Sequence, residues 1–222
     1  MHDNDLFGQV DDYISKLVGE EDDALRSTVK SIEESGIPQI SVSANQGKFL
    51  HVLAKACNAK RILEIGTLAG YSTIWLARAL PKNGKLVTLE FDPKHAAVAE
   101  KNLQRAGFAS MVEIRVGKAI DTLPKLVAEK TAPFDMIFID ADKPPYAEYF
   151  DWAVKLSRPG TLIIADNVIR EGKVLDTNPE DEMAAGARRF NQSLADDKRV
   201  VATIIQNVGA KVHDGMGIAV VL

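Results

Sequence analysis

Cysteine is nearly absent: Cys57 is the only one in 222 residues. No internal disulfide can form, which fits a reducing compartment. Cys57 sits among Leu53, Ala54 and Ala56, the surroundings of a buried structural thiol rather than a nucleophile. Excess basic charge is missing too. The 27 Lys and Arg face 31 Asp and Glu, for a net charge of -4, so composition supplies no field for a polyanion, although a local patch for a small RNA stays open. Long apolar runs are also lacking. No segment approaches the roughly 20 apolar residues that span a bilayer, and no basic start followed by an apolar stretch marks a leader. The cytoplasm is the expected location. Neither internal repeats nor low-complexity tracts occur. What remains is a 46% hydrophobic chain of a length that supports one substantial core. One domain over residues 1–222 is expected, with residues 1–57 as an N-terminal helical extension packed on an α/β core.

Between Asp5 and Glu34, Leu6, Val10, Ile14, Leu17, Leu25, Val29 and Ile32 recur at mostly helical spacing, broken by Glu20-Glu21-Asp22-Asp23. The spacing predicts two amphipathic helices. Gly36-Ile37-Pro38 ends that pattern, and a third helix is expected from Ala44 or Asn45 to Ala56. From Arg61 onward, apolar strands alternate with helical stretches. Strands are predicted at Arg61–Ile65, Lys85–Leu89, Met111–Val116, Phe134–Ile139 and Gly160–Ala165. Helices are predicted at Tyr71–Leu80, Lys94–Ala106, Ala119–Glu129, Tyr146–Leu156 and from Glu180 to Leu194. Short loops and near-continuous apolar strands imply a parallel sheet with helices on both faces. Val200–Ile205 and Gly217–Val221 flank Lys211-Val212-His213-Asp214-Gly215 with no helix-length spacer. They predict a closing hairpin that adds an antiparallel strand.

Two polar clusters, Asp140-Ala141-Asp142-Lys143 and Asp166-Asn167, each emerge directly from an apolar strand pattern. On neighbouring parallel strands they would converge at the ligand-binding end of the sheet. Asp140, Asp166 and Asn167 supply hard oxygen donors for a divalent cation, Mg2+ by preference, with Mn2+ or Ca2+ suited to the same set. Lys143 stands beside them as a candidate base. Plainer roles exist for each residue: a solvated strand end for Asp140, a cap or loop lock for Asp166 and Asn167, a turn-ordering surface lysine for Lys143.

The segment from Leu63 to Ser72 runs from a strand through a glycine-containing turn into a helix. Gly66 permits close backbone approach, and the helix start with the Ser72 hydroxyl offers donors to an anionic group. Glu90 ends the second strand, where a carboxylate can accept both hydroxyls of a ribose lying across that loop. Position 68 is Leu, so only Gly66 and Gly70 remain of the three glycines that pyrophosphate-binding dehydrogenases prefer. An adenosine cofactor without pyrophosphate fits better than NAD. Glu64 is a costly carboxylate to bury unpaired, so it is expected to accept from loop amides or from a cationic cofactor group. Gly117-Lys118-Ala119, after the third strand, would line an adenine pocket with small residues and backbone groups.

In this ordered combination the chain resembles the class I, S-adenosylmethionine-dependent O-methyltransferases of the cation-dependent type. That group contains plant caffeoyl-coenzyme A O-methyltransferases, animal catechol O-methyltransferase and small bacterial relatives. The matching segments are Ser41-Val42-Ser43 with Gln46-Gly47, Leu63 through Ser72, Thr88-Leu89-Glu90, Phe138 through Lys143, and Ala165 through Val168. The resemblance implies a Rossmann-like, seven-stranded methyltransferase sheet, mostly parallel with one antiparallel strand and helices on both faces. It implies Val42 as a backbone contact to the methionine portion, with Glu64 and Ser72 around its amino and carboxylate groups. Gly66 and Thr67 would shape the loop beneath the ribose, Glu90 would hold its hydroxyls, and Ala119 would contact the cofactor through its backbone. Asp140 and Asp142 would face the cofactor pocket, and Lys143 would accept the proton of the reacting hydroxyl. A catechol-like vicinal dihydroxyphenyl acceptor and a homodimer formed through the N-terminal helices follow from the same resemblance. Gly117-Lys118 departs from the family, in which an acidic residue commonly follows that glycine.

Ile169 through Val174 is expected to form a pocket rim, where Arg170 either attracts an anionic group of the acceptor or pairs with Glu171. Tyr149 and Trp152 are assigned to helix packing, and Tyr146 to the pocket side. Two other functions stay open. One keeps the cofactor and methylates a hydroxylated tRNA base. The other is a non-catalytic nucleotide-binding assembly protein, which needs Gly66 and Glu90 but not the arrangement of Asp140, Lys143, Asp166 and Asn167.

Overall fold

The computed structural model describes residues 3–131, 133–209 and 213–222. Three helices come first: α1 (Asp3–Val18), α2 (Asp23–Glu34) and α3 (Ala44–Ala56). The starts of α2 and α3 are written in the sequence. Asp22 accepts the Leu25 amide, and Ser43 and Gln46 form a reciprocal capping box. The alternating part follows as β1 (Arg61–Ile65), α4 (Tyr71–Ala77), β2 (Lys85–Glu90), α5 (Pro93–Arg105), β3 (Val112–Val116), α6 (Ala119–Ala128), β4 (Met136–Ile139), α7 (Tyr146–Lys155) and β5 (Leu162–Asp166). A 3-10 turn at Arg170–Leu175, α8 (Glu182–Asp196), β6 (Val200–Asn207) and β7 (Asp214–Val221) complete it.

The strands form one seven-stranded sheet in the order β3-β2-β1-β4-β5-β7-β6. Pairing is parallel from β3 to β5, and β7 runs antiparallel to both β5 and β6. The doubly wound sheet and its single reversed strand are those expected. Several boundaries move for local reasons. Beyond Ala77 the Ala79 and Leu80 amides bond three residues back, so α4 tightens and stops short of Leu80. β4 proper begins at Met136, although Asp135 still bonds Arg61 O and Leu162 N–H through its backbone and accepts the Lys60 and Arg61 amides on its carboxylate. Asp214 and Gly215, expected in the hairpin connection, pair with Asn207 and Gln206 instead. Lys211 and Val212 of that connection lie outside the described residues.

Strand periodicity sorts the sheet into two faces. Leu63, Ile65, Ile137, Ile139 and Ile163 join Tyr146, Phe150 and Phe190 on the face covered by α7 and α8. Ile62, Met136, Phe138 and Ile164 join Leu50, Ala54, Ile74 and Trp75 on the face covered by α3 and α4. Leu25 of α2 is fully buried in that second cluster. Glu64 has the parity of Ile62, which turns it toward α4. Helix α1 is tethered to α3 through Asn45, whose amide donates to the Asp11 carbonyl and carboxylate at 3.1 and 2.8 Å. It leaves Leu6, Val10, Tyr13 and Leu17 exposed. Among the described residues, no helix is long and apolar enough to cross a membrane.

Candidate active site

The first crossover gathers a polar core at the ends of β1 and β2. Glu64 is wholly buried and accepts from three hydroxyls: Ser72 at 2.6 Å, Thr73, and Thr88 at 2.7 Å. Burial pushes its carboxyl up to about 7, those hydroxyls oppose the rise, and the charge of Asp140 adds to it. Of the two partners expected for it, loop amides or a cationic cofactor group, the loop amides go instead to Glu90, which sits one strand over and level with the turn. Glu90 Oε2 accepts from Thr67 N–H at 3.1 Å and Leu68 N–H at 2.7 Å, while Oε1 accepts from Asp92 N–H at 2.9 Å. A carboxylate has about four lone-pair sites. Three are taken by amides and His95 Nδ1 lies 3.5 Å from Oε1, so accepting both ribose hydroxyls requires some of these partners to give way.

Leu68 adopts φ 50° between Gly66 at φ 103° and Gly70 at φ 85°. The residue that weakened a glycine-rich signature thus takes a glycine-like conformation, held by its amide's bond to Glu90. Since the Thr88 proton is donated to Glu64, Thr67 donates to the Thr88 hydroxyl at 2.6 Å, and its side chain faces the strand rather than the pocket. Val42 is buried, and its backbone makes no hydrogen bond to the described residues. Ala119 opens α6 behind Lys118, which provides no side-chain cap, and the Ala119 and Ile120 amides have no partner among the described residues.

The ends of β4 and β5 lie side by side, with Ile139 opposite Ala165. Asp140 and Asp166 therefore leave adjacent strands together. Asp166 is 2% exposed, and its carboxyl rises to about 7 through burial and then through the negative charge of Asp140. Asn167 follows at φ 60°, a conformation asparagine tolerates, and its amide N–H donates to Asp166 Oδ1 at 2.8 Å. Lys143 is 3% exposed, which rules out a surface lysine. Its ammonium donates to Asp140 Oδ1 at 3.1 Å, Ala141 O at 3.0 Å and Tyr146 Oη at 2.6 Å. Asp142, the residue next to Lys143 in the chain, does not pair with that ammonium. Instead Lys143 folds back onto Asp140, and exposed Asp142 accepts from Tyr149 Oη at 2.9 Å. Among the described residues, no three His, Cys, Asp or Glu side chains gather as a metal cluster; two carboxylates and the Asn167 amide are what the strand ends offer.

A family model described as O-methyltransferase matches residues 15–221. The chain belongs to the O-methyltransferase family. It is 66% identical over 98% of its length to a catechol O-methyltransferase of Niastella koreensis, 99% of which is covered. A catechol O-methyltransferase of Mycobacterium tuberculosis is 50% identical, over 93% of this chain and 92% of the relative. Among solved structures, the O-methyltransferase TomG of Streptomyces achromogenes, involved in tomaymycin synthesis and in complex with S-adenosylmethionine, superposes with a TM-score of 0.96 at 49% identity. That superposition covers 100% of this chain and 99% of the other. This O-methyltransferase takes its methyl group from S-adenosylmethionine.

In this O-methyltransferase two residues organise the site in ways the sequence does not signal: Tyr146, expected only on the pocket side, and Gly186, not singled out at all. The Tyr146 hydroxyl is the hub: it accepts from Lys143 and from the Ala141 amide at 3.2 Å, and lies 3.2 and 3.1 Å from the Ile139 and Asp166 carbonyls. It thereby ties β4 to β5. Burial, then the charges of Asp140 and Asp166, push it well above the usual phenol range, so it stays protonated. Gly186 of α8 is the other. A Cβ there would lie 2.2 Å from the Lys143 carbonyl, so only glycine lets α8 press on the lysine's backbone. Nothing in local spacing signals either contact.

Gly66 couples the two halves of the site. A Cβ at this position would lie 2.1 Å from the Asp140 carbonyl oxygen. Gly66→Ala should therefore lower stability by about 1–3 kcal/mol, the scale of a strained backbone position. Calorimetry should show tenfold or weaker binding of S-adenosylhomocysteine; unchanged affinity would mean that the loop does not need this approach.

Proposed function

We propose that this enzyme methylates one hydroxyl of a catechol-like, vicinal dihydroxyphenyl acceptor with the help of a divalent cation. The observation that carries the proposal is the convergence of Asp140, Asp166 and buried Lys143 at the paired ends of β4 and β5. The two catechol O-methyltransferase relatives support it. The donor set fits a hard cation: Asp166 sits in a buried place beside a second carboxylate, and one lysine does not balance both. Asp140, Asp166 and Asn167 would hold Mg2+, or Mn2+ or Ca2+. When bound, the cation would fix two adjacent acceptor oxygens, favour the phenolate and compete with Lys143 for Asp140.

Lys143 then serves as the base. Its Nζ stays anchored by Ala141 O and Tyr146 Oη, and in its neutral form it takes the phenolic proton. The acceptor oxygen forms its bond to the methyl carbon as the carbon–sulfur bond breaks, and S-adenosylhomocysteine leaves as a neutral thioether. Glu90 and the Gly66-Thr67 turn would hold the ribose, with Ala119 at the adenine. Val42, Glu64, Ser72, Asp140 and Asp142 would surround the methionine portion. Residues 1–57 would act with the sheet as one domain, and the exposed apolar row on α1 favours a homodimer.

The test is turnover of S-adenosylmethionine with a panel of catechols and hydroxylated RNA, after chelation and again after Mg2+ is restored. Monomethylated catechol that requires the added cation is expected. Metal-independent turnover, or methylated RNA without catechol turnover, would sink the proposal.

A further inference from the structure

The segment that follows Asp166 and Asn167 is held in an unusual shape. Arg170, Glu171 and Gly172 adopt φ of 54°, 56° and 82° in succession. Two of the three are not glycine, so the surroundings must impose the conformation. They do. Buried Asp214 accepts the Ile169 and Arg170 amides at 2.9 and 3.0 Å, Glu171 N–H donates to His213 O at 3.0 Å, and Asn191 of α8 donates to Val168 O at 2.8 Å. Val168 N–H also donates to Gly215 O at 3.0 Å, so tertiary hydrogen bonds fix every residue from Val168 to Glu171.

One cation in this segment is left without a protein partner among the described residues. Lys173 pairs with Asp181 at 3.5 Å, and Arg188 donates to Val174 O at 2.7 Å. Arg170 makes neither an ion pair nor a side-chain hydrogen bond among the described residues, and its Nε is buried without a partner. The expected alternative, pairing with Glu171, does not form. A guanidinium is always charged, and its planar fork matches a carboxylate. Three residues of chain from Asn167 span at most about 10 Å, the reach of one benzenoid ring with a substituent.

We infer that Arg170 is a specificity residue that recognises an anionic substituent, a carboxylate, on the ring of the catechol acceptor. The inference rests on the proposed catechol chemistry and adds the substrate class, an acidic catechol. Its test compares kcat/KM for 3,4-dihydroxybenzoate and for its methyl ester, with S-adenosylmethionine saturating and Mg2+ present. The wild type should favour the acid at least tenfold. Arg170→Gln should reduce that ratio tenfold or more, through the KM of the acid, and Arg170→Lys should fall between, since it keeps the charge but loses the fork. An acid-to-ester ratio equal in all three proteins overturns the inference while leaving the catechol chemistry standing. Failure of the wild type to methylate either compound overturns both.

Discussion

Lys143→Met should cut kcat for a catechol at pH 7 by about 10²–10⁴-fold, the range that a positioned general base contributes. Methionine keeps an unbranched apolar stem at this buried position, with sulfur in place of Cδ, and removes the nitrogen and its charge. Affinity for S-adenosylhomocysteine, measured by calorimetry, should fall far less than kcat, because Asp140 is the only proposed cofactor contact whose side chain Lys143 bonds. The pH profile separates a base from a structural prop. A phenol ionises unaided near pH 10, so the deficit of the variant should shrink as the pH rises toward that value. A deficit that stays constant with pH would assign Lys143 to holding Tyr146 and Asp140 in place. Turnover within tenfold of the wild type at pH 7 would remove it from proton transfer altogether.

The strand ends were legible because both clusters follow continuous apolar runs, and a parallel sheet puts such ends on one edge. Asp140, Asp166 and Asn167 could thus be singled out together. Partner assignments were less legible. Glu64 and Glu90 are both carboxylates at strand ends, and only the register of β1 on β2 decides which one meets the turn amides and which one meets Thr88. The same holds for Lys143, whose neighbour in sequence is Asp142 but whose neighbour in space is Asp140. Tyr146 looked like one more aromatic near a pocket. Its importance comes from two carbonyls on different strands, a relation that no spacing along the chain encodes. Leu68 argued rightly against a pyrophosphate cofactor, but its own conformation was not legible: propensity argues against a positive φ for leucine, and a tertiary bond to Glu90 outweighs it.

The double variant Asp166→Ala with Asn167→Ala should abolish cation-stimulated methylation, a loss of about 10³-fold or more, since charge stabilisation by a catalytic cation amounts to several kcal/mol. Activity alone does not show that these side chains bind a cation, so stability supplies an independent reading. The Asp166 carboxyl rises to about 7 in the fold through burial and the nearby Asp140 charge, against roughly 3.9 in an unfolded chain. Between those values the folded state holds a proton that the unfolded state has lost. This group therefore makes the metal-free protein less stable as pH rises through that window. A divalent cation offsets the Asp166 charge together with the Asp140 charge that helps to raise its carboxyl, so Mg2+ should lift the melting temperature more at pH 8 than at pH 5. In the double variant both the Mg2+ shift and its pH dependence should vanish. If Mg2+ raises the melting temperature of wild type and variant equally, the cation binds elsewhere, and Asp166 is a buried acid with a structural role only.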